Sequence, residues 1–302
     1  MVDLLHPTSD VVFKMLFAYE RNRRLLISLL TAVLEPSVPI VEVDVLNPEI
    51  DKESIRSKGI ALDVRAVLQD GRRINVEMQA RWHPAWRPRT LLYWARLYAD
   101  QLERGGAYAD LAPTVGVLIQ DFVDLPSSHF HSEFQLLESR EHYAYSDHLI
   151  LHVLELPKVP AALPAQGQES EPLLARWGRF LRAKNEQNLE ELAMTDPIFR
   201  EAKGALEDLS ADPKARRLAQ ERRDALYFYE VGLRHEREQA AAEGHEQGRL
   251  EGQRSLLQQV LVLKFGALPE PVLSRLREAS EAELTLWADR LLSAASLGEI
   301  LT

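Results

Sequence analysis

The chain has 302 residues, 46% of them hydrophobic and 27% charged, with a formal net charge of −10. This is the balance of a globular chain long enough for a sizeable core and more than one unit. It contains no cysteine, which excludes disulfides, thiolate zinc sites and cysteine nucleophiles. No apolar run approaches the roughly 18 residues of a membrane span. Residues 1–10 lack the basic-then-apolar pattern of a secretory leader. A cytoplasmic protein without membrane contact is expected.

Net acidity works against a polyanionic ligand, because phosphate contact calls for Lys and Arg. The distribution matters more than the sum. Between Lys52 and Arg104 there are eleven basic and six acidic residues, so this window is +5 and the remainder −15. A basic island in an acidic chain permits a local anionic ligand.

In chain order, residues 9–34 read as one helix. Ser9 suits an N-cap, and Asp10 in the first turn suits the helix dipole. Val12, Phe13, Leu16, Phe17, Leu25, Leu26, Leu29, Leu30 and Val33 recur near helical period. Pro36 and Pro39 end it. Three strands follow, over residues 40–46, 60–68 and 72–80. The last two flank Gln69-Asp70-Gly71, a hairpin signal. Pro84 and Pro88 mark a turn, and residues 89–104 read as a helix stopped by Gly105-Gly106. Residues 114–119 and 148–154 are apolar and read as interior strands. His129 and His131 would share a face on an extended strand but lack a third ligand, so they are not read as a metal site. Residues 157–172, with four prolines, read as a linker.

The expected organisation is a mixed α/β unit over 1–156, the linker, a charged helical region over 173–254 and a small helical unit over 255–302. Glycines in the charged region work against a continuous helix there. The small unit breaks at Phe265-Gly266. Clean heptads are absent, yet self-association into a homo-oligomer through these C-terminal helices is an open expectation.

The chemistry-bearing pattern is Leu62-Asp63-Val64 joined through the hairpin to Val76-Glu77-Met78-Gln79. With a three-residue loop, Gly71 takes the left-handed position and Leu68 faces Arg72. Asp63 then opposes Glu77, with β-carbons roughly 4.5–5.5 Å apart, and Gln79 shares their face. Opposed carboxylates repel, and a divalent cation between them removes the penalty. Oxygen ligands suit Mg2+ or Mn2+. A two-residue loop would pair Asp63 with Met78 and turn Glu77 to the other face. In the three-residue register the charged face also carries Arg65 and Arg73. On the following helix Arg89, Tyr93, Arg96 and Asp100 form one stripe, whose arginines suit phosphate oxygens.

These segments resemble the PD-(D/E)XK nucleases of the recombination-promoting and transposase type. The likeness runs in order through Ser9-Asp10 to Phe17, Leu46-Asn47-Pro48, Leu62-Asp63-Val64, Asn75 to Gln79, Arg89 to Tyr93 and Gln101 to Gly105. Residues 263–301, with Lys264-Phe265-Gly266 and Trp287, resemble a helical domain of unknown function often appended to that family. The resemblance implies a restriction-endonuclease-like sheet in the order helix, three strands, helix, strand, followed by a mostly helical C-terminal region. It implies magnesium-dependent hydrolysis of DNA phosphodiesters, with Asp63 and Glu77 as metal ligands. The superfamily places a lysine two residues after the acid, where this chain has Gln79. Gln79 can orient water but supplies no positive charge. Lys14 on the first helix is a substitute for that charge, and Asp10 a further ligand. Arg89, Arg96 and Arg73 are the expected DNA contacts. The competing expectation is a degenerate nuclease fold that binds DNA or protein as a scaffold.

Overall fold

The computed structural model describes residues 4–47, 49, 63–103, 105–160 and 172–301. Residues 60–62 of the second expected strand, Arg104 and residues 161–171 of the expected linker lie outside these.

The expected first helix is two helices, α1 (Asp10–Ala18) and α2 (Arg23–Leu34). Tyr19 between them is extended, with φ −72° and ψ 134°, and a short 3-10 turn at Glu20–Asn22 restarts the chain. Ser9 stands at the N-cap position, but its side chain makes no capping bond. Asp10 fills part of that role, its Oδ1 accepting from the Val11 N–H at 2.8 Å. The expected strand at 40–46 shortens to β1 (Val43–Val45). Strands β2 (Val64–Leu68) and β3 (Arg73–Gln79) follow.

Helix α3 (Trp86–Ala99) begins three residues before its expected start. Pro88 falls in its first turn, where a missing N–H costs nothing because those N–H groups have no helical acceptor. Two prolines that read as a turn therefore mark a helix start. Strand β4 (Thr114–Gln120) is fully buried. A strand not expected from the sequence, β5 (His131–Leu137), pairs with β6 (Ala144–Glu155), which starts four residues before its expected bound. The mostly exposed face of β5 hides the alternation that marks a strand.

The six strands form one mixed sheet in the order β1-β2-β3-β4-β6-β5. β1, β2 and β3 are antiparallel neighbours. β3, β4 and β6 run parallel, and β5 returns antiparallel to β6. Parallel neighbours need a crossover, and α3 is the crossover between β3 and β4. It thereby lies against the half of the sheet that carries Glu77.

The hairpin register follows the three-residue loop. Val64 pairs with Val76 and Val67 with Arg73, while Leu68 N donates to Arg72 O at 3.0 Å. Gly71 has φ +86°, and an added Cβ would meet nothing nearer than Ala112 Cβ at 3.9 Å. Space is available, so only backbone strain opposes a side chain there. Gly71→Ala is expected to cost about 1 kcal/mol in urea denaturation. An unchanged midpoint would show that the loop is not held left-handed.

Even-numbered residues of the hairpin (Val64, Ala66, Ile74, Val76, Met78) join Phe13, Leu16 and Phe17 of α1 and Leu26, Leu29 and Leu30 of α2 in the main core. The helices after residue 172 pack into the same core. These are α4 (Leu173–Leu181), α5 (Glu186–Thr195) and α6 (Pro197–Ala211). Trp177 is central. Its ring lies 5.6 Å from Phe17, 5.5 Å from Phe180 and 4.9 Å from Phe199, and its Nε1 donates to Ser28 Oγ at 3.2 Å.

Helix α7 (Pro213–Phe265) is continuous over 53 residues despite its glycines. Chain contacts divide the molecule into Met1–Tyr227 and Phe228–Thr302. The second unit has its own core, built from Leu257 and Leu261 with Leu276 of α8 (Glu270–Glu278), Trp287 of α9 (Glu281–Leu291) and Ile300 of α10 (Leu297–Leu301). Gly266, with φ +81°, ends α7 at the expected break. Among the described residues, no helix is long and apolar enough to cross a membrane.

Candidate active site

The register that pairs Val64 with Val76 sets Asp63 opposite Glu77, one step further along. Asp63 is 7% exposed and Glu77 fully buried. Burial pushes the Glu77 carboxyl up to about 7. The Arg89 guanidinium pulls it back down, and the charges of Asp63 and Asp10 push it further up. A charged carboxylate in that position is costly without a cation beside it.

Arginines hold these acids in the structure. Arg89 Nη2 donates to Glu77 Oε1 at 3.2 Å and to Gln79 Oε1 at 3.0 Å. Arg65 Nε donates to Asp63 Oδ2 at 2.9 Å. Asp10 is taken by Arg222, whose Nε and Nη2 both reach Oδ2, at 2.9 and 2.6 Å. Asp10 thus belongs to a separate ion pair. Among the described residues no group of three His, Asp or Glu is close enough to hold one metal ion, so the expected three-acid ligand set does not assemble. Asp10 is still near enough for its charge to act on Glu77.

Glu77 Oε2 is buried and meets no hydrogen-bond partner among the described residues. One oxygen of the carboxylate is thus held by Arg89 and the other is uncommitted. A divalent cation fits that donor set: two hard carboxylates with one buried lone pair uncommitted.

The other expected residues separate. Gln79 lies on the Glu77 face, and its Nε2 donates to Arg81 O at 2.9 Å. Lys14 is buried on α1. Desolvation lowers its amine pKa, Asp63 raises it again, and Arg65 lowers it. Lys14 therefore sits within the field of Asp63 and of the arginine that holds it. Arg96 is exposed on α3. Arg73 opens β3, four residues before Glu77 and so roughly 13 Å away along the strand. It shares the sheet face but not the site. His131 is not paired with His129. Its Nε2 lies 2.9 Å from His152 Nδ1 across the sheet.

Three contributors carried no role in the sequence reading. Asn47 Nδ2 donates to Asp63 Oδ1 at 3.3 Å and to Asp63 O at 3.2 Å. Its Oδ1 accepts from Arg65 N at 2.8 Å, so one amide fixes both ends of the Asp63–Arg65 pair. Trp86 sets the base of Arg89, whose Cζ lies 5.2 Å over its ring. The indole Nε1 donates to Gln120 Oε1 at 2.8 Å, and Gln120 donates to the buried Glu155 at 3.3 Å. Arg222 is the third. It lies with Ala215 and Ala219 on the buried stripe of α7. An arginine at helical spacing on a small-residue stripe was the available signal.

A mixed sheet with a long antiparallel hairpin, a parallel crossover strand and paired acids across the hairpin is the layout of a restriction-endonuclease-like nuclease. The chain belongs to the PD-(D/E)XK nuclease family transposases, whose profile matches residues 7–235. No curated protein and no solved structure matches it.

Proposed function

We propose that this chain is a metal-dependent DNA endonuclease, with a transposition or recombination role in keeping with its family. The observation that carries the reading is Glu77. It is fully buried, bound at one oxygen by Arg89, uncommitted at the other and set opposite Asp63. Folding alone disfavours such a carboxylate.

In this reading Asp63 and Glu77 hold Mg2+ or Mn2+. When bound, the cation supplies Lewis-acid polarisation of the phosphodiester and a more acidic water. The protein's own groups do the rest. Asn47 fixes the Asp63 carboxylate. Arg89, forked between Glu77 and Gln79 and stacked on Trp86, turns remaining N–H donors toward phosphate oxygens as charge develops. Arg96, further along α3, extends that contact. Gln79 lends its amide to orienting the attacking water. Lys14, with its amine pushed down by burial, supplies the charge or takes the proton that Gln79 cannot.

The direct test is plasmid nicking by purified full-length chain, with and without magnesium. Nicking that needs magnesium and disappears in Asp63→Asn is the expected result. Equal nicking by the variant, or none by the native chain, contradicts it.

One observation favours a second reading. Asp10, Asp63 and Glu77 each already hold an arginine, which is how a degenerate site without metal would neutralise itself. The chain would then bind DNA or protein as a scaffold and self-associate through its C-terminal helices. Retained DNA binding without any metal uptake would favour it.

A further inference from the structure

The segment leading into α1 and the first turns of α7 enclose a pocket of about 250 Å³, with His6, Arg216, Arg217, Gln220 and Arg223 in its lining. None of the described residues lining it is acidic, in a chain whose net charge is −10. The walls are pinned. Leu5 N donates to Ser210 Oγ at 2.9 Å, and that hydroxyl donates to Leu206 O at 2.6 Å. Arg216 Nη1 donates to Ser210 O at 3.2 Å. Arg223 Nη2 donates to Gln220 Oε1 at 2.6 Å, and Arg217 Nε to the half-buried Glu221 at 2.8 Å. A guanidinium offers five donors, more than these contacts use on Arg217 or Arg223.

The placement is unfavourable for the helix by itself. α7 has no acidic residue in its first turn. Lys214 and Arg216 stand there instead, against the positive end of the dipole, and Lys214 repels Arg217 three residues on. Asp212 offsets part of this by accepting from Lys214 N at 2.9 Å. An anion in the pocket would offset the remainder, and clustered arginines with a histidine suit the geometry and charge of a phosphate.

We propose that this pocket is a phosphate-binding site that anchors the DNA backbone on the first unit, an inference that rests on the nuclease reading above. It is tested with the full-length chain in magnesium-free buffer, by fluorescence anisotropy of a short labelled duplex across a salt series. Arg217 and Arg223 are both exposed, so Arg217→Ala with Arg223→Ala leaves the core alone. Arg200→Ala with Arg277→Ala, also exposed, removes equal charge elsewhere. The pocket variant is expected to bind DNA about tenfold or more weakly, with a log–log salt slope shallower by about one to two. The charge-matched variant is expected to change little. Equal binding by the two variants overturns the proposal.

Calorimetry with inorganic phosphate separates the possible sources. Phosphate heat lost in the pocket variant together with unchanged DNA binding assigns the pocket to free phosphate and overturns the anchor. Magnesium-dependent nicking is followed in parallel. A native chain that nicks and binds DNA, beside a pocket variant equal to the control, sinks the pocket alone. A native chain that neither binds nor nicks DNA sinks the nuclease reading itself.

Discussion

Replacing Glu77 with glutamine is expected to abolish magnesium-dependent nicking and, in the same molecule, to make the metal-free fold more stable above pH 7. The two effects share one cause. Glu77 is fully buried, and its carboxyl is pushed up from 4.5 to about 7, chiefly by desolvation. Between those values the folded chain binds more protons than the unfolded one, so stability falls as pH rises through that window. The contribution of the protonated acid is fully present below the ordinary carboxylate value and is lost above about pH 7. Glutamine has no charge to desolvate, and its amide oxygen can still accept from Arg89. At pH 8 the variant is expected to gain about 1–3 kcal/mol over the native chain, seen as a rise in Tm of a few degrees or more. Near pH 4.5 the two should converge. Loss of a ligating carboxylate is expected to cut nicking at least about 100-fold. A variant less stable than the native chain at pH 8 would mean that Glu77 serves the fold rather than a site.

Trp177→Ala is expected to cost about 3–5 kcal/mol, close to the whole stability of many domains. Trp177 belongs to α4, beyond the expected linker, yet it is fully buried against Phe17 of α1 and Phe199 of α6. It also donates to Ser28 of α2, so the alanine leaves a cavity and a hydroxyl without its indole partner. Chemical denaturation measures the loss. A cost below about 1 kcal/mol would show that α4 does not contribute to the core that positions the hairpin.

Much of this architecture was legible from local chemistry. Gly71 allowed either a two- or a three-residue loop, and the observed pairing of Val64 with Val76 takes the three-residue register, which sets Asp63 opposite Glu77. The strand after α3 was legible as an interior one because its run is largely apolar, as suits β4, which is buried along its whole length. What failed did so for nameable reasons. Tyr19 breaks the first helix with no glycine or proline to announce it. Pro88 reads as a turn but is permitted in the first helical turn. β5 is too exposed to show alternation.

The site was legible as residue types but not as pairings. That Glu77 meets Arg89 depends on a crossover helix docking on β3. That Asp10 is taken by Arg222 depends on a contact 212 residues away in the chain. Local spacing names neither partner, although the place of Arg222 on the Ala215–Ala219 stripe signals that it is buried.

Calorimetric titration of Mg2+ or Mn2+ into the metal-free chain at pH 8 bears most directly on the shared-cation site. One binding event in the native chain, lost in Asp63→Asn and in Glu77→Gln, is the expected result. Binding that survives undiminished in the double variant would mean that these two carboxylates do not hold the ion, and the hydrolytic centre would have to lie elsewhere.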